Sequence, residues 1–385
     1  MKNISRRSFV NKFGLGVGAS VVITALPSFL SPPETPQKRY TSKKMNIALC
    51  GLGNYAGMLA EGIAISDYCT LAGIVTGTPA KAAKWKAQYN IPEKNIYNYQ
   101  NFDDIKNNPD IDLVYVVLPN GLHKEFVIRS AKAGKNVITE KPMAISVKDC
   151  EEMIKACNDA NVQLAIGYRL HYEPYHLELK RLGQQKIFGQ VRYIEAGLGY
   201  KTYDTLETKS TFDKNSREEW RHNKKLSGGG PLMDLGIYCI QSTRYVLGEE
   251  PIAVTGQFGP INDKNRFAEV EETITWQMEF PNGAMANCTT SCGFNIDRFY
   301  AAADEGSFEL SPALSYGPFE GKTTAGALSF PVINQQKTQL DEICKLLLEN
   351  KKLPNHITGE EGMKDMRIIN AIYESAKTGK KVLLK

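Results

Sequence analysis

At 385 residues, with 42% hydrophobic and 23% charged side chains, the chain is long enough for two domains with cores of their own and has an ordinary globular composition. Its net charge of +5 is concentrated at one end: Lys2, Arg6, Arg7, Lys12, Lys38, Arg39, Lys43 and Lys44 stand against Glu34 alone, which leaves residues 45–385 at −2. That balance gives the folded part no electrostatic footprint for nucleic acid.

Ser5-Arg6-Arg7-Ser8-Phe9 precedes the apolar stretch "FGLGVGASVVITALPSFL". A positive segment followed by an apolar one is the order of a secretory signal, and paired arginines before Phe resemble the twin-arginine (Tat) signal. The apolar run is barely long enough to cross a bilayer, and its three glycines weaken it as a helix. Residues 1–30 are therefore expected to be a signal read by the Tat export machinery, directing the protein to the periplasm. Residues 31–44, "SPPETPQKRYTSKK", read as a Pro-rich extended arm.

"MNIALCG" has the continuous apolar character of a buried parallel strand. It runs into Gly51-Leu52-Gly53-Asn54-Tyr55-Ala56, a G-x-G-x-x-A turn, and then into the apolar helix "AGMLAEGIAI". Strand, glycine turn and helix together form the context of a dinucleotide fingerprint. Gly51 permits the turn, Gly53 lets backbone N–H groups reach a pyrophosphate, and the helix N-terminus favours its charge. The next strand, "TLAGIV", ends at Thr76-Gly77-Thr78-Pro79-Ala80-Lys81, where an NAD enzyme commonly places a carboxylate for the ribose 2′-hydroxyl. Hydroxyls and the Lys81 ammonium stand there instead, so NADP is expected and NAD is the less favoured cofactor.

Further βα units follow: "IDLVYVVL" before Pro119-Asn120, the helix "LHKEFVIRSAKAG", "KNVIT" before Glu140-Lys141-Pro142-Met143, a helix capped by Ser146, and "VQLAIGYR". Residues 45–170 thus read as a doubly wound parallel sheet, with Asn120, Glu140, Lys141, Tyr168 and Arg169 on the rim where ligands bind.

Beyond residue 190, "QVRYIEAGLGY", "IAVTGQFG", "EVEETITWQMEF", "GAMANCTTSCG" and "RFYAAAD" alternate as strands of an open, mostly antiparallel sheet, so residues 171–385 are assigned to a second α/β domain. Between two of these strands, Gly228–Gly230 read as a flexible lead-in to a helix that starts at Pro231 and ends at Gly248. Asp234 and Tyr238, four residues apart, share one face of that otherwise apolar helix and need partners in a cleft. Near the C-terminus, Thr358 and Glu361 read as a capping box for a helix closed by Gly379, which is expected to be able to pack back on the first domain. The eight cysteines contain no C-x-x-C pair and are expected to be buried thiols, with no metal site.

Taken in order, "GLGNYA", "TGTPAK", "LPNGLH", "TEKPM", "IGYRLHYEP", "WRHNKKLSGGGPLMDLGIY" and "EVEETITWQMEF" resemble the Gfo/Idh/MocA oxidoreductases, in particular the glucose–fructose oxidoreductase branch. The resemblance implies a Rossmann domain, a C-terminal α/β domain that often forms the interface of a homo-oligomer, and tightly held NADP. It places the family's lysine, aspartate and tyrosine at Lys141, Asp234 and Tyr238, with Tyr168 beside them at the substrate. Gly51, Leu52, Gly53, Asn54, Tyr55, Thr76, Gly77, Lys81, Tyr99, Leu118, Pro119, Asn120, His123, Glu140, Lys141, Arg169, Trp220, Arg221 and Tyr316 fall at cofactor-contacting positions.

The expected chemistry is hydride transfer at a sugar carbon. Tyr238 takes the hydroxyl proton, a neighbouring Lys141 ammonium favours the phenolate, and Asp234 orients the sugar. A captive NADP, loaded before export of the folded protein, implies oxidation of one sugar and reduction of another. Two alternatives carry different signatures: an exported NAD-dependent glycosidase, which typically uses His where this chain has Tyr238, and a non-catalytic sugar sensor.

Overall fold

A computed structural model describes residues 43–202 and 217–384. The expected signal, all but two residues of the arm, and most of the 200–219 stretch lie outside the described residues.

The first half builds β1 (Met45–Cys50), α1 (Asn54–Ala64), β2 (Cys69–Val75), α2 (Pro79–Tyr89), β3 (Ile96–Tyr97), β4 (Leu113–Val116), α3 (His123–Lys132), β5 (Asn136–Thr139), α4 (Val147–Asp159) and β6 (Leu164–Ile166). Its six strands pair in parallel in the order β3-β2-β1-β4-β5-β6. β4 and β6 are buried at every residue, which is why they appear in the sequence as unbroken apolar runs. The order reverses between β1 and β4, so the crevice lies beyond their carboxyl ends. Ser146 caps α4 as expected, its hydroxyl accepting from the Asp149 N–H.

The second half contains α5 (Pro174–Gln184), β7 (Val191–Gly199), α6 (Lys224–Ser227), α7 (Ile237–Leu247), β8 (Ala253–Phe258), β9 (Thr273–Glu279), β10 (Met285–Ser291), β11 (Ile296–Ala303), β12 (Gly306–Leu310), β13 (Gly321–Thr323), β14 (Gly326–Leu328), α8 (Gln335–Leu348), α9 (Gly359–Thr378) and β15 (Val382–Leu383). The nine strands run β14-β13-β12-β11-β7-β10-β9-β8-β15; β7 and β10 are parallel and the other pairs are antiparallel. Ile274, Trp276 and Met278 of β9 point into the core and alternate with outward residues, the period-2 pattern of a half-covered sheet.

The last two helices tie the halves together. In α8, Gln339 Nε2 donates to the Tyr115 hydroxyl of β4 at 2.8 Å. Thr358, just before α9, bridges back to Ala165 of β6, while the Ser375 hydroxyl of α9 accepts from the Gly256 N–H of β8. One continuous apolar core runs through both sheets.

Two local expectations are corrected. Gly228–Gly230 are not a flexible lead-in: a Cβ at Gly229 would collide with the Tyr373 hydroxyl, and one at Gly230 with the Glu271 carbonyl oxygen. The glycines are there because a buried wall approaches the backbone closely. Nor do Thr358 and Glu361 form a capping box. The Thr358 hydroxyl bonds the Asn355 carbonyl, and Glu361 is drawn to Arg244 at 2.8 Å and to Lys364. A buried guanidinium outcompetes a backbone N–H for the carboxylate.

Candidate active site

The glycine turn forms as its sequence dictates. Gly51 has φ +100°, and any Cβ there would strike the Val117 carbonyl oxygen at the end of β4. Gly53 precedes α1, faces open space, and leaves the first N–H groups of α1 without a side-chain cap. Beside it, the Tyr55 hydroxyl is buried with no hydrogen-bond partner among the described residues. Burial holds that phenol well above its ordinary pKa, so it is a standing donor. Open helix N–H groups, a bare glycine wall and an orphaned hydroxyl fit a dinucleotide's pyrophosphate and adjoining ribose.

At the end of β2, Thr76 is buried and its N–H donates to the Tyr97 carbonyl. Gly77 lies flat against the Tyr99 ring, 2.8 Å from where a Cβ would stand, and Lys81 is exposed in the first turn of α2. The edge is therefore lined by hydroxyls, backbone and one ammonium, without a carboxylate between residues 76 and 82.

The loops after β4 and β5 are tied to each other by a residue expected at the cofactor. His123 is fully buried, with Nε2 2.8 Å from the Leu118 carbonyl and Nδ1 3.0 Å from the Pro142 carbonyl. It clamps the loops carrying Pro119 and Lys141 and does not itself reach the cleft. Asn120 likewise turns inward, donating to the Ser227 carbonyl at 2.8 Å.

Lys141, Asp234 and Tyr238 converge. Lys141 Nζ donates to the Asp234 carbonyl at 2.7 Å, stands 3.6 Å from its Oδ1, and lies 4.4 Å above the centre of the Tyr238 ring. Asp234 sits in a widened turn, Leu232–Gly236, that leads into α7, so the pair does not lie on one regular helix face. The turn is held by Glu271, whose carboxylate accepts from the Gly230 and Leu232 N–H groups and from the Tyr373 hydroxyl. Arg221 Nε donates to Asp234 Oδ2 at 2.7 Å, and its guanidinium stacks 4.5 Å from the Trp220 ring. Burial alone would raise the Asp234 pKa; the Arg221 guanidinium and the Lys141 ammonium overcome this and pull it down to about 2.

The cation at the Tyr238 hydroxyl is Arg169, whose Nε donates to it at 3.2 Å, whereas Lys141 covers the ring face. The Lys141 ammonium expected beside the phenol thus lies over its ring and not at its oxygen. Arg169 is only 2% exposed, and its remaining donors go to the Leu314 and Ser315 carbonyls at 2.9 Å and to Gln335 Oε1 at 2.5 Å. Its guanidinium lies 4.3 Å from the half-exposed Tyr316 ring, whose centre is 6.3 Å from that of Tyr55. Gln335 and the 314–315 carbonyls were not anticipated, because they reach the site from more than 140 residues beyond Arg169.

Two further residues expected at the site turn their polar atoms away from it. Tyr168 donates its hydroxyl to Asp365 of α9 at 2.5 Å, in a buried cluster with Arg244 and Gln241, so it cannot offer that hydroxyl to a substrate. Glu140 points back into the sheet, accepting from Tyr115 at 2.5 Å. Burial raises its pKa to about 7, against the opposing pull of Tyr115 and Lys141.

Residues 45–168 match the model of the oxidoreductase family with an NAD-binding Rossmann fold, GFO_IDH_MocA, and residues 176–309 match the GFO/IDH/MocA C-terminal domain. The chain belongs to the Gfo/Idh/MocA oxidoreductases. Among solved members, the aldose-aldose oxidoreductase of Caulobacter crescentus, complexed with glycerol, is 38% identical with a TM-score of 0.82, over 89% of this chain and 100% of that one. A D-xylose 1-dehydrogenase [NADP(+)] of Haloarcula marismortui is 27% identical over 94% of this chain and 99% of its own. A second, from Haloferax volcanii, is 26% identical over 81% of this chain and 91% of its own. As a Gfo/Idh/MocA protein the chain is an α/β oxidoreductase with an NAD(P)-type Rossmann domain, and its paired sheets carry the cleft described above.

Proposed function

We propose that this protein is an NADP-dependent sugar oxidoreductase that keeps its nucleotide and uses it twice. It oxidises the C1 hydroxyl of an aldose to a lactone and then reduces the carbonyl of a second sugar to a hydroxyl. The observation that carries this reading is the convergence of Lys141, Asp234, Tyr238 and Arg169 at the rim of the glycine cradle. The similarity to an aldose-aldose oxidoreductase and to NADP-linked xylose dehydrogenases supports sugars as substrates. The nucleotide, when bound, supplies the hydride acceptor and donor.

The chain's own residues manage the proton and the pose. Tyr238 takes the substrate hydroxyl proton during oxidation and returns one to the second sugar's oxygen during reduction, so the two half-reactions balance. Tyr238 holds that proton as a phenol between the two steps, and the Arg169 guanidinium stabilises the phenolate that precedes the first and follows the second. Asp234, ionised throughout the working range, accepts from a sugar hydroxyl and is held in place by Arg221. Lys141 fixes the Asp234 backbone and walls the pocket. Tyr55, the α1 N-terminus, Thr76, Gly77 and Lys81 are assigned to the dinucleotide, with Lys81 at a 2′-phosphate. Export by the Tat route of the folded, loaded protein is part of the same proposal and rests on residues 1–30 alone, while assembly as a homo-oligomer rests on the family resemblance of the C-terminal domain.

The test is to mix purified full-length protein with glucose and fructose without added nucleotide and to assay lactone and sorbitol. Equal amounts of both are expected. Turnover that appears only when NADP or NAD is supplied counts against a retained cofactor.

A further inference from the structure

Arg169 raises a problem that its own neighbours do not solve. A buried guanidinium is useful at Tyr238 only if it cannot swing, yet two of its acceptors, Leu314 O and Ser315 O, belong to a loop outside any regular element. The reason this loop presents its carbonyls in a fixed direction lies on its other side. There, Asp297 of β11 accepts from three successive N–H groups: Oδ1 from Ala313 at 2.9 Å and Leu314 at 2.6 Å, and Oδ2 from Ser315 at 3.3 Å. A run of backbone N–H groups curled around one anion is a nest, and gripping the N–H side turns the carbonyls outward.

We propose that Asp297 is the positioning residue that aims Arg169 at the Tyr238 hydroxyl. It touches neither substrate nor cofactor and acts through the 313–315 loop; the proposal rests on the reading of Tyr238 as the proton-transferring group. The linkage is continuous: Asp297 holds the loop N–H groups, the loop carbonyls hold two arms of the guanidinium, and the third reaches Tyr238 at 3.2 Å. Gln335 closes the far side, accepting from Arg169 and donating to the Tyr316 carbonyl at 3.4 Å. Asp is a poor strand residue, and its presence in β11 opposite Leu198 is accounted for by this grip. Among the described residues, the ionisable groups near Tyr238 include Lys141 over its ring, Asp234, and the phenols of Tyr55, Tyr200 and Tyr316. None of these bonds the loop N–H groups that Asp297 holds.

The experiment uses the full chain with its nucleotide and the variant Asp297→Asn, which keeps the shape but sets an NH2 against a backbone N–H. Loss of that anchor is expected to lower kcat about tenfold with KM changed less than about twofold. Asp297→Glu, which retains the carboxylate on a longer arm, is expected to keep more turnover than Asp297→Asn. Combined with Arg169→Lys, Asp297→Asn should add little further loss, since both act on one guanidinium. A readout independent of turnover is a crystal structure of Asp297→Asn, in which Arg169 Nε should no longer stand within hydrogen-bond distance of the Tyr238 hydroxyl. A folded Asp297→Asn protein with wild-type kcat and Arg169 Nε unmoved at that hydroxyl overturns the proposal, as does full additivity with Arg169→Lys. If Tyr238→Phe itself keeps turnover, the functional reading fails instead, and the place of Arg169 in the Asp297→Asn structure still decides whether Asp297 positions it.

Discussion

The Arg169 guanidinium donates to the Tyr238 hydroxyl, while the Lys141 ammonium lies over the face of the same ring. Two cations thus divide the work around one phenol: one addresses the atom that gains or loses a proton, and the other shapes the pocket and holds Asp234. Replacing Arg169 by Lys keeps a charge but loses the planar fork that saturates four acceptors. This variant is expected to lose roughly a hundredfold in kcat, with a fall in melting temperature because buried carbonyls lose their partners. Steady-state kinetics alongside thermal denaturation separates the two effects.

Asp234 is held as a carboxylate by Arg221 and Lys141, with its pKa pulled to about 2 from 3.8. A depressed acid contributes stability that is present above its unfolded value and is lost as pH falls through the folded one. Wild-type protein should therefore draw stability from this group at pH 4 and above and lose it progressively toward pH 2. Asp234→Asn should lack that slope and lower kcat/KM at every pH. Urea unfolding at a series of pH values, with parallel kinetics, measures both.

Glu140 behaves in the opposite sense. Burial raises it from 4.5 to about 7, so its stabilising contribution is complete below pH 4.5 and is lost as pH rises through about 7. Glu140→Gln, neutral at all pH, should remove this loss and flatten stability between pH 5 and 8 while retaining the hydrogen bond from Tyr115. A mutant melting profile parallel to wild type across that range would show that Glu140 does not titrate there.

Tyr55→Phe removes a hydroxyl without a hydrogen-bond partner among the described residues. The apo protein should melt within about 1 °C of wild type or slightly higher, since no internal hydrogen bond is lost. Nucleotide retention should fall, read as the fraction of chains carrying NADP(H) after gel filtration. A lower apo melting point with unchanged retention would mean that the hydroxyl serves the fold.

Lys81→Glu places a carboxylate at the edge where a 2′-phosphate is expected. Mass analysis of nucleotide extracted from this variant should show NAD displacing NADP. An unchanged NADP content would assign Lys81 to the solvated face of α2.

Much of the first half was legible because its signals are local. A glycine turn between an apolar strand and helix, and apolar runs ending in Asn120 or Lys141, fix sheet, rim and cradle from short windows of sequence. The period-2 strands from β7 to β11 were equally plain, whereas β3, β13, β14 and β15 are two or three residues long and carry no period. Side-chain direction was the part that did not show. Glu140, Tyr168 and His123 lie at the ends of the right strands, yet each turns toward a partner fixed only by the tertiary fold: Tyr115, Asp365, and the Leu118 and Pro142 carbonyls. Arg169 was placed at the site but not at the Tyr238 oxygen, since its orientation is dictated by Leu314, Ser315 and Gln335. The glycine triplet was misjudged for the same reason, because the wall it packs against, Glu271 and Tyr373, lies far along the chain.

The most direct measurement is a single-turnover experiment on protein purified with its own nucleotide. Reduced-nicotinamide fluorescence is followed as an aldose alone is added and then as a second sugar is added. The account requires about one equivalent of reduced cofactor per loaded site to appear on the first addition and disappear on the second, with neither event in Tyr238→Phe. Reduction at wild-type rate in Tyr238→Phe, or no reduction by any aldose in wild-type protein, would contradict it.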